Sequence, residues 1–282
     1  MRLIAILGAG ELGGALARQL VAAQIASRIV IVDDAEPVAQ GKALDIRQAS
    51  PIDGYTTEVV GSSDESSVVG ADAIVLADRV GTPNIEWQGD LGLALARRVA
   101  YMNPSAIIVC AGAMQVDIVE RGVREAGMPH HRLIGSAGEG LRSAVIAMTA
   151  LEAGCSPCEI SLTVVGRPPR DIIVPWDEAS IGGRRATVVL PAPAVARLDA
   201  RLSRLWPPGP YTLASAAARL LSAAASAGRD GLTAFVAMPR LAGDRGRVAM
   251  MPVVVGPRGV VQWLAPTLST RDRVRFDTVL GL

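Results

Sequence analysis

Lysine, histidine and aromatic residues are scarce in this chain of 282 residues. Lys42 is the only lysine, which excludes lysine-based covalent catalysis from almost every position. Aromatic residues make up 3% of the chain, too few for the stacking platforms of a single-stranded nucleic-acid binder. The 28 basic and 27 acidic side chains leave a formal net charge of +1, which argues against nucleic acid as a partner.

No uncharged run is long and apolar enough for a membrane span. The longest, residues 99–116, is interrupted by Asn103, Pro104, Ser105 and Gln115, whereas a spanning helix needs about 20 mainly apolar residues. Three cysteines offer no disulfide framework, which is typical of a reducing compartment. We therefore expect a cytoplasmic protein without a membrane partner.

Cysteine and histidine give only a weak metal signal. Cys155 and Cys158 form a C-x-x-C pair, but a zinc site needs a second ligand pair, and His130 and His131 are adjacent to each other. The cysteine pair is typical of a loop between a helix and a strand, and the histidines of a solvated turn. We predict no metal site and leave open whether the two thiols oxidise.

Short apolar runs alternate with amphipathic segments in the first half of the chain. The runs cover residues 3–7, 29–32, 73–77, 106–110 and 133–134. Buried parallel strands joined by crossover helices give this pattern. We predict an α/β fold with an N-terminal Rossmann domain, a doubly wound parallel sheet, over residues 1–136.

Residues 137–282 are predicted to form an α+β substrate domain. Helical patterns cover residues 141–151, 194–205 and 212–227, and strand-like runs cover 160–165, 232–237, 248–255 and 259–264. The turn from Gly256 to Gly259 predicts a hairpin between the last two runs. Ser269-Thr270-Arg271-Asp272 predicts the start of a final helix that continues to Leu282.

A glycine motif marks the most specific candidate site. Gly8-Ala9-Gly10-Glu11-Leu12-Gly13 matches G-x-G-x-x-G after the first strand, and Asp33 follows the next strand. Gly8 permits a tight turn, Gly10 the close approach of a pyrophosphate, and Gly13 close helix–strand packing. Because Asp33 can bind the ribose hydroxyls and would repel a 2′-phosphate, we predict that these residues bind NAD. The alternative is a glycine turn that no longer holds the nucleotide.

The segment of the glycine motif and four others carry a resemblance to a known family. They are GAGELGG, IVDDAEPVAQGKALDI, GMPHHRLIG, VPWDEASIGG and RVAMMPVVVGPRGVVQWL. Together they resemble the lactate/malate dehydrogenase family over nearly the whole chain. The resemblance implies NAD-dependent hydride transfer between a 2-oxo acid and a 2-hydroxy acid, and a homo-oligomer.

The family's proton donor is missing from the matching position. In the family a histidine protonates the substrate carbonyl, an aspartate orients the histidine, and an arginine grips the carboxylate. The resemblance assigns Arg142 to the arginine and Glu139 to the aspartate. Pro168 occupies the histidine position, or Pro169 if the gap falls otherwise, and proline has no acidic or basic side chain.

The family's mobile loop is altered as well. It should begin with an Ala-Gly pair and carry two arginines, but this chain has Ala77-Asp78-Arg79, with Thr82 and Gln88 at the arginine positions. Ala113 or Met114 stands at the family's Asn-Pro pair. Whether Arg79 helps or blocks the cofactor is left open.

Two functions are therefore expected. The first is an NAD(H)-binding, lactate/malate dehydrogenase-like oxidoreductase with very slow ordinary turnover. In it Arg79 or Arg167 would supply positive charge near an anionic substrate, and Asp171 or Glu178 would move protons. The alternative is a non-catalytic nucleotide-binding pseudoenzyme that acts as a sensor or interaction protein. The glycine motif and Asp33 argue against a purely structural protein.

Overall fold

The computed structural model describes residues 1–83, 85–226, 228, 231–238 and 247–281. The helices in these ranges are α1 Glu11–Ala23, α2 Glu36–Asp53, α3 Gly89–Met102, α4 Val116–Arg124, α5 Ala137–Ala153, α6 Ala186–Val189, α7 Ala192–Asp199, α8 Pro210–Ser226 and α9 Thr270–Leu280. The strands are β1 Leu3–Leu7, β2 Arg28–Val32, β3 Glu58–Ser62, β4 Ala73–Leu76, β5 Asp78–Arg79, β6 Ile85–Glu86, β7 Ile107–Cys110, β8 Leu133–Gly135, β9 Ile160–Ser161, β10 Val165–Arg167, β11 Asp171–Ile173, β12 Ser180–Ile181, β13 Arg184–Arg185, β14 Leu232–Ala237, β15 Val248–Gly256 and β16 Gly259–Trp263.

One mixed sheet of eleven strands organises the described part of the chain, in the order β11-β10-β15-β14-β8-β7-β4-β1-β2-β3, with β16 paired to β15. The strands from β8 to β3 are parallel, and the rest add on antiparallel. This confirms the predicted α/β Rossmann class. The chain builds outward from β1 to β3 and then returns to place β4 on the other side of β1. The carboxyl ends of β1 and β4 therefore flank the switch point, where such sheets open a crevice for a ligand.

The two predicted domains share this sheet. β14 pairs with β8 through Phe235 and Gly135, and a Cβ atom on Gly135 would lie 2.9 Å from that of Phe235. Helix α1 buries Leu12, Leu16 and Leu20 and contacts α8 from the second half of the chain. The predicted boundary after residue 136 stays a prediction.

The second half departs from the predicted elements in two places. The strand predicted over 160–165 is wrong: β9 belongs to a small sheet with β12, and β10 belongs to the main sheet. The helix predicted over 194–205 ends at Asp199, and a 3-10 turn covers Leu202–Leu205. The predicted ends at Ala227 and Leu282 lie outside the described residues. Within those residues, no helix has the length and apolar character needed to cross a bilayer.

Candidate functional site

The glycine motif forms a tight turn between β1 and α1. Gly8 has a φ of +123°, and its N–H donates to the carbonyl of Val32 at 2.8 Å. A Cβ atom on Gly13 would lie 2.0 Å from the carbonyl oxygen of Gly8, so the helix packs on the turn only without a side chain there. Gly10 is the N-cap residue of α1 and offers no capping side chain. The first turn of α1 therefore needs an acceptor from elsewhere.

The acceptor is the carboxylate of Asp78, the second residue after β4. Its Oδ2 accepts the N–H of Leu12 at 3.2 Å, and its Oδ1 accepts the N–H of Gly13 at 2.9 Å. The backbone carbonyl of Asp78 also accepts the N–H of Gly10 at 2.8 Å. Asp78 is buried, with 6% of its surface exposed. A carboxylate of the chain thus lies at the helix N-terminus, the place where this type of loop binds phosphate.

Gly10 makes room for that carboxylate. A Cβ atom at position 10 would lie 2.3 Å from Cγ of Asp78 and 2.4 Å from its Oδ2. The close approach that the motif predicts is made in this structure by Asp78.

Asp33 also accepts hydrogen bonds from the backbone. Its Oδ2 accepts the N–H groups of Ala9 at 2.8 Å and of Val80 at 3.1 Å, and its Oδ1 accepts that of Ala35 at 2.9 Å. Asp33 is 5% exposed, so these backbone donors replace water around the carboxylate. Asp33 therefore joins the glycine turn to the segment after β4.

That segment folds over the carboxyl edge of the sheet. We call residues 78–83 and 85–87 the cleft segment. Asp78 pairs with Glu86 and Arg79 with Ile85 in a two-stranded antiparallel ribbon. Trp87 Nε1 donates to the carbonyl of Leu7 at 3.0 Å, and Cζ of Arg79 lies 4.5 Å from the centroid of the Trp87 ring. Arg79, whose effect on the cofactor was open, is thus held inside the cleft segment.

Glu86 anchors the other end of the cleft segment to the loop after β7. Its Oε1 accepts the N–H of Ala113 at 3.1 Å, and its Oε2 accepts that of Met114 at 2.8 Å. Burial raises the pKa of Glu86 above its ordinary value; these hydrogen bonds oppose the rise, and the negative charge of Asp78 adds to it. Glu86 therefore binds the backbone of Ala113 and Met114, where the resemblance places the family's Asn-Pro pair.

Two more residues of this region were not predicted from the sequence. Lys42 on α2 donates from Nζ to the carbonyl of Gly10 and so places the one lysine beside the glycine turn. Gln115 is fully buried; its amide donates to the carbonyl of Ala77 at 3.1 Å and accepts the N–H of Gly112 at 3.0 Å. Its amide ties the end of β4 to the end of β7. The sequence signal that could have pointed to Lys42 was the GKALDI segment of residues 41–46, which carries part of the family resemblance.

The candidate pair of the second half belongs to an ionic cluster in which Glu139 is buried and the arginines are partly exposed. Glu139 Oε1 accepts from Arg142 Nη1 at 2.8 Å and lies 3.2 Å from Nε of Arg219, while its Oε2 accepts the N–H of Thr233 at 2.9 Å. Arg142 Nε also donates to the carbonyl of Leu162 at 2.9 Å. Both guanidinium groups line a cavity of about 550 Å³ between α5 and α8. Glu139 pairs with both guanidinium groups and offsets one of their two positive charges.

The other residues that were expected in the reaction centre lie in a turn, in an ion pair or on the exposed surface. Pro168 and Pro169 form the turn between β10 and β11, and Arg167 pairs with Glu120. The residues that were expected to move protons or to occupy the loop arginine positions are exposed: Asp171, Glu178, Thr82 and Gln88. Gln88 is the N-cap residue of α3.

The histidines and the cysteine pair lie outside both regions. His130 and His131 are half-buried rather than solvated: the ring of His130 lies 5.5 Å from that of Trp263, and burial lowers the pKa of His131. Cys155 follows α5, and Cys158 lies in the 3-10 turn before β9. The described residues contain no cluster of three or more metal-binding side chains.

Comparison with known proteins places this arrangement in a family. Residues 2–83 match the family model described as lactate/malate dehydrogenase, NAD binding domain. The malate dehydrogenase of Thermomicrobium roseum is 30% identical over 201 residues, which cover 68% of this chain and 64% of that protein. A malate dehydrogenase of Roseiflexus is 30% identical over 58% of this chain and 55% of its own length. The alignments span less than two thirds of these relatives.

Solved structures support the same fold. The lactate dehydrogenase of Cryptosporidium parvum, in complex with lactic acid and nicotinamide adenine dinucleotide, superposes with a TM-score of 0.86 at 21% identity. It is matched over 99% of this chain and 95% of its own. The malate dehydrogenase of Salinibacter ruber gives a TM-score of 0.82 at 21% identity, over 99% and 94% of the two chains. The chain belongs to the lactate/malate dehydrogenase family, and residues 2–83 carry the family's NAD-binding domain.

The present arrangement of this domain does not accommodate the dinucleotide. Asp78 accepts the N–H groups that would receive the pyrophosphate, and its carboxylate fills the space above Gly10. Asp33, the expected ribose acceptor, already accepts three backbone N–H groups, which fill both positions of Oδ2 and one of Oδ1. The glycine turn has the required shape, but the cleft segment lies against it.

Proposed function

We propose that this chain binds a nicotinamide dinucleotide but does not carry out the family's reduction of 2-oxo acids, and that it acts as a nucleotide sensor or interaction protein. The observation that carries the proposal is the Pro168–Pro169 turn at the proton donor's position. Hydride arrival on a carbonyl produces an alkoxide, which needs a nearby proton and positive charge. Proline supplies neither.

The arginines that could supply positive charge are already engaged, Arg79 by the ring of Trp87. Arg142 contacts Glu139 and the carbonyl of Leu162, and Arg167 contacts Glu120. Loss of a positioned general acid reduces a rate by about 10²–10⁴-fold, before any loss of charge stabilisation. Ordinary oxaloacetate or pyruvate turnover therefore falls below detection in this account.

The test follows NADH binding and NADH oxidation in the same samples. Binding is measured by calorimetry, and absorbance at 340 nm is recorded at high protein concentration with oxaloacetate or pyruvate. We expect binding without oxidation above that of a heat-inactivated sample. An active malate dehydrogenase added at the end of the oxaloacetate samples, or lactate dehydrogenase at the end of the pyruvate samples, confirms that substrate and NADH are competent. Oxidation by the wild type above that of the heat-inactivated sample would contradict the proposal, and its loss in Asp171→Asn or Glu178→Gln would identify a substitute proton donor.

The other parts of the proposal follow from the family. A small 2-oxo acid or another anion is the proposed second ligand, the proposed location is cytoplasmic, and the proposed assembly is a homo-oligomer. Light scattering on a size-exclusion column tests the assembly directly.

A further inference from the structure

We propose that the cleft segment is an internal occupant of the dinucleotide cleft, with the Asp78 carboxylate in the place of the pyrophosphate, so that nucleotide binds only when this segment is displaced. The inference rests on the proposed nucleotide binding and adds its regulation. It makes Asp78 a residue that sets nucleotide affinity from within the cleft.

The Asp78 carboxylate and a pyrophosphate compete for the same backbone N–H donors at the start of α1. The N-terminus of a helix carries a partial positive charge and unpaired N–H groups, which bind anions. In α1 the N–H groups of Leu12 and Gly13 already donate to the two carboxylate oxygens of Asp78. A pyrophosphate needs these donors and the open face of Gly10, against which the carboxylate packs. The two anions therefore exclude each other.

The cleft segment also takes up an acceptor position of Asp33, the predicted ribose acceptor. Val80, two residues after Asp78, donates its N–H to Oδ2 of Asp33. Displacing the segment removes this donor and frees an acceptor position on Oδ2 of Asp33, so that each carboxylate oxygen can accept from a ribose hydroxyl. One movement thus opens the phosphate position and the ribose position together.

Further contacts hold the cleft segment in this position, which we call the closed state. Glu86 accepts two N–H groups after β7, and the indole of Trp87 donates to Leu7 at the end of β1. With Asp78 at α1 and Val80 at Asp33, the segment is attached at four points along the carboxyl edge of the sheet. All four are hydrogen bonds, which water or a ligand can replace.

The closed state also contains unfavourable features that favour release. Two carboxylates, Asp78 and Glu86, lie in one cleft, and Nε of Arg79 is buried without a hydrogen-bond partner among the described residues. Opening returns these groups to water. A ligand that binds only the open state shows an apparent affinity reduced by the fraction of open molecules.

The test compares NADH affinity in the wild type and in Asp78→Gly by calorimetry. Removing the carboxylate raises the open fraction, and we expect the apparent Kd to fall by about tenfold or more. Asp177→Gly, which removes an exposed carboxylate elsewhere, is the matched control and keeps the wild-type Kd. Asp78→Asn keeps the side-chain size and shows a smaller fall, which guards against a folding defect in the glycine variant. Inorganic pyrophosphate as a second probe should follow the same order.

The outcomes separate this inference from the proposed function. Equal Kd values in the wild type, Asp78→Gly and Asp78→Asn, without turnover, overturn the internal occupant and leave non-catalytic binding intact. Turnover in the wild type together with tighter binding by Asp78→Gly supports the occupant and overturns the proposed function. No binding by any folded variant overturns both.

Discussion

The carboxylate of Asp78 occupies the space that the missing side chain of Gly10 leaves open. A Cβ atom at position 10 would lie 2.3 Å from Cγ of Asp78, well inside van der Waals contact. In a dinucleotide-binding loop the same glycine admits a pyrophosphate. The glycine motif of this chain is therefore compatible with two anions, one internal and one external, that use the same helix N-terminus.

This relationship predicts strong coupling between positions 10 and 78. Gly10→Ala should lower the free energy of unfolding by about 1–3 kcal/mol, because the new methyl group overlaps the Asp78 carboxylate. In the Asp78→Gly background the same change should have little effect. Urea denaturation of the four proteins gives the coupling energy.

Gly41→Ala is the control for this cycle. Gly41 lies inside α2, where a Cβ atom would meet nothing within 4 Å, so alanine should stabilise the helix by about 0.5–1 kcal/mol in both backgrounds. Equal destabilisation by Gly10→Ala with and without Asp78 would contradict the contact.

Asp33 is predicted to stabilise the protein even without nucleotide. Asp33→Asn removes the charge that three backbone N–H groups share, and an amide oxygen cannot replace both carboxylate oxygens. We expect a loss of about 1–3 kcal/mol in the free energy of unfolding. The neighbouring Asp34 is exposed, and Asp34→Asn should change stability by no more than about 0.5 kcal/mol. Similar losses in both variants would show that the contacts of Asp33 contribute nothing specific.

Glu86 should make stability fall with rising pH in a defined window. Because burial raises its pKa in the folded protein, its contribution is full below the ordinary value of 4.5 and is lost as pH rises through the raised value. Relative to the wild type, Glu86→Gln should therefore gain stability as pH increases through that window. Urea denaturation between pH 4 and 8 at constant ionic strength measures the difference.

Glu125→Gln gives a control of opposite sign. Hydrogen bonds from Arg124 and Arg121 lower the pKa of Glu125, so its contribution is present above 4.5 and is lost as pH falls. A Glu86→Gln profile parallel to that of Glu125→Gln would contradict a buried Glu86.

Glu139 is predicted to be a structural carboxylate rather than part of a reaction centre. Glu139→Ala leaves Arg142 and the N–H of Thr233 without their acceptor, and we expect a loss of about 2–3 kcal/mol, reduced because both arginines are partly exposed. Glu65→Ala, which breaks the exposed pair with Arg98, should lose no more than about 1 kcal/mol. NADH affinity should not change in Glu139→Ala. A weaker NADH affinity with normal stability would contradict this assignment.

The parallel half of the fold could be predicted because its strands are buried on both faces. The runs at 3–7, 29–32 and 106–110 are continuous apolar stretches, and β1, β2 and β7 formed within a residue of them. The short strands of the second half could not be predicted, since two- or three-residue strands such as β9 and β10 show no periodicity. Their pairing is set by tertiary contacts.

The glycine turn of the site could be predicted from the sequence, but the contact of Asp78 with it could not. The spacing of Gly8, Gly10 and Gly13 gave the turn, but hydrogen bonds to a carboxylate 65 or 66 residues away have no local pattern. The one signal was the aspartate in Ala77-Asp78-Arg79, where the family has a glycine. The sequence indicated only an altered loop, whereas in the structure this aspartate places its negative charge at the N-terminus of α1.

Hydrogen exchange at the backbone N–H of Val80, with and without saturating NADH, shows directly whether NADH displaces the cleft segment. That N–H is protected by Asp33 in the closed state and loses this acceptor when the cleft segment is displaced. We expect the N–H of Val80 to exchange faster in the presence of NADH, while the N–H of Ile6 in β1 keeps its exchange rate. Unchanged or slower exchange at Val80 in the NADH-bound protein would contradict this displacement.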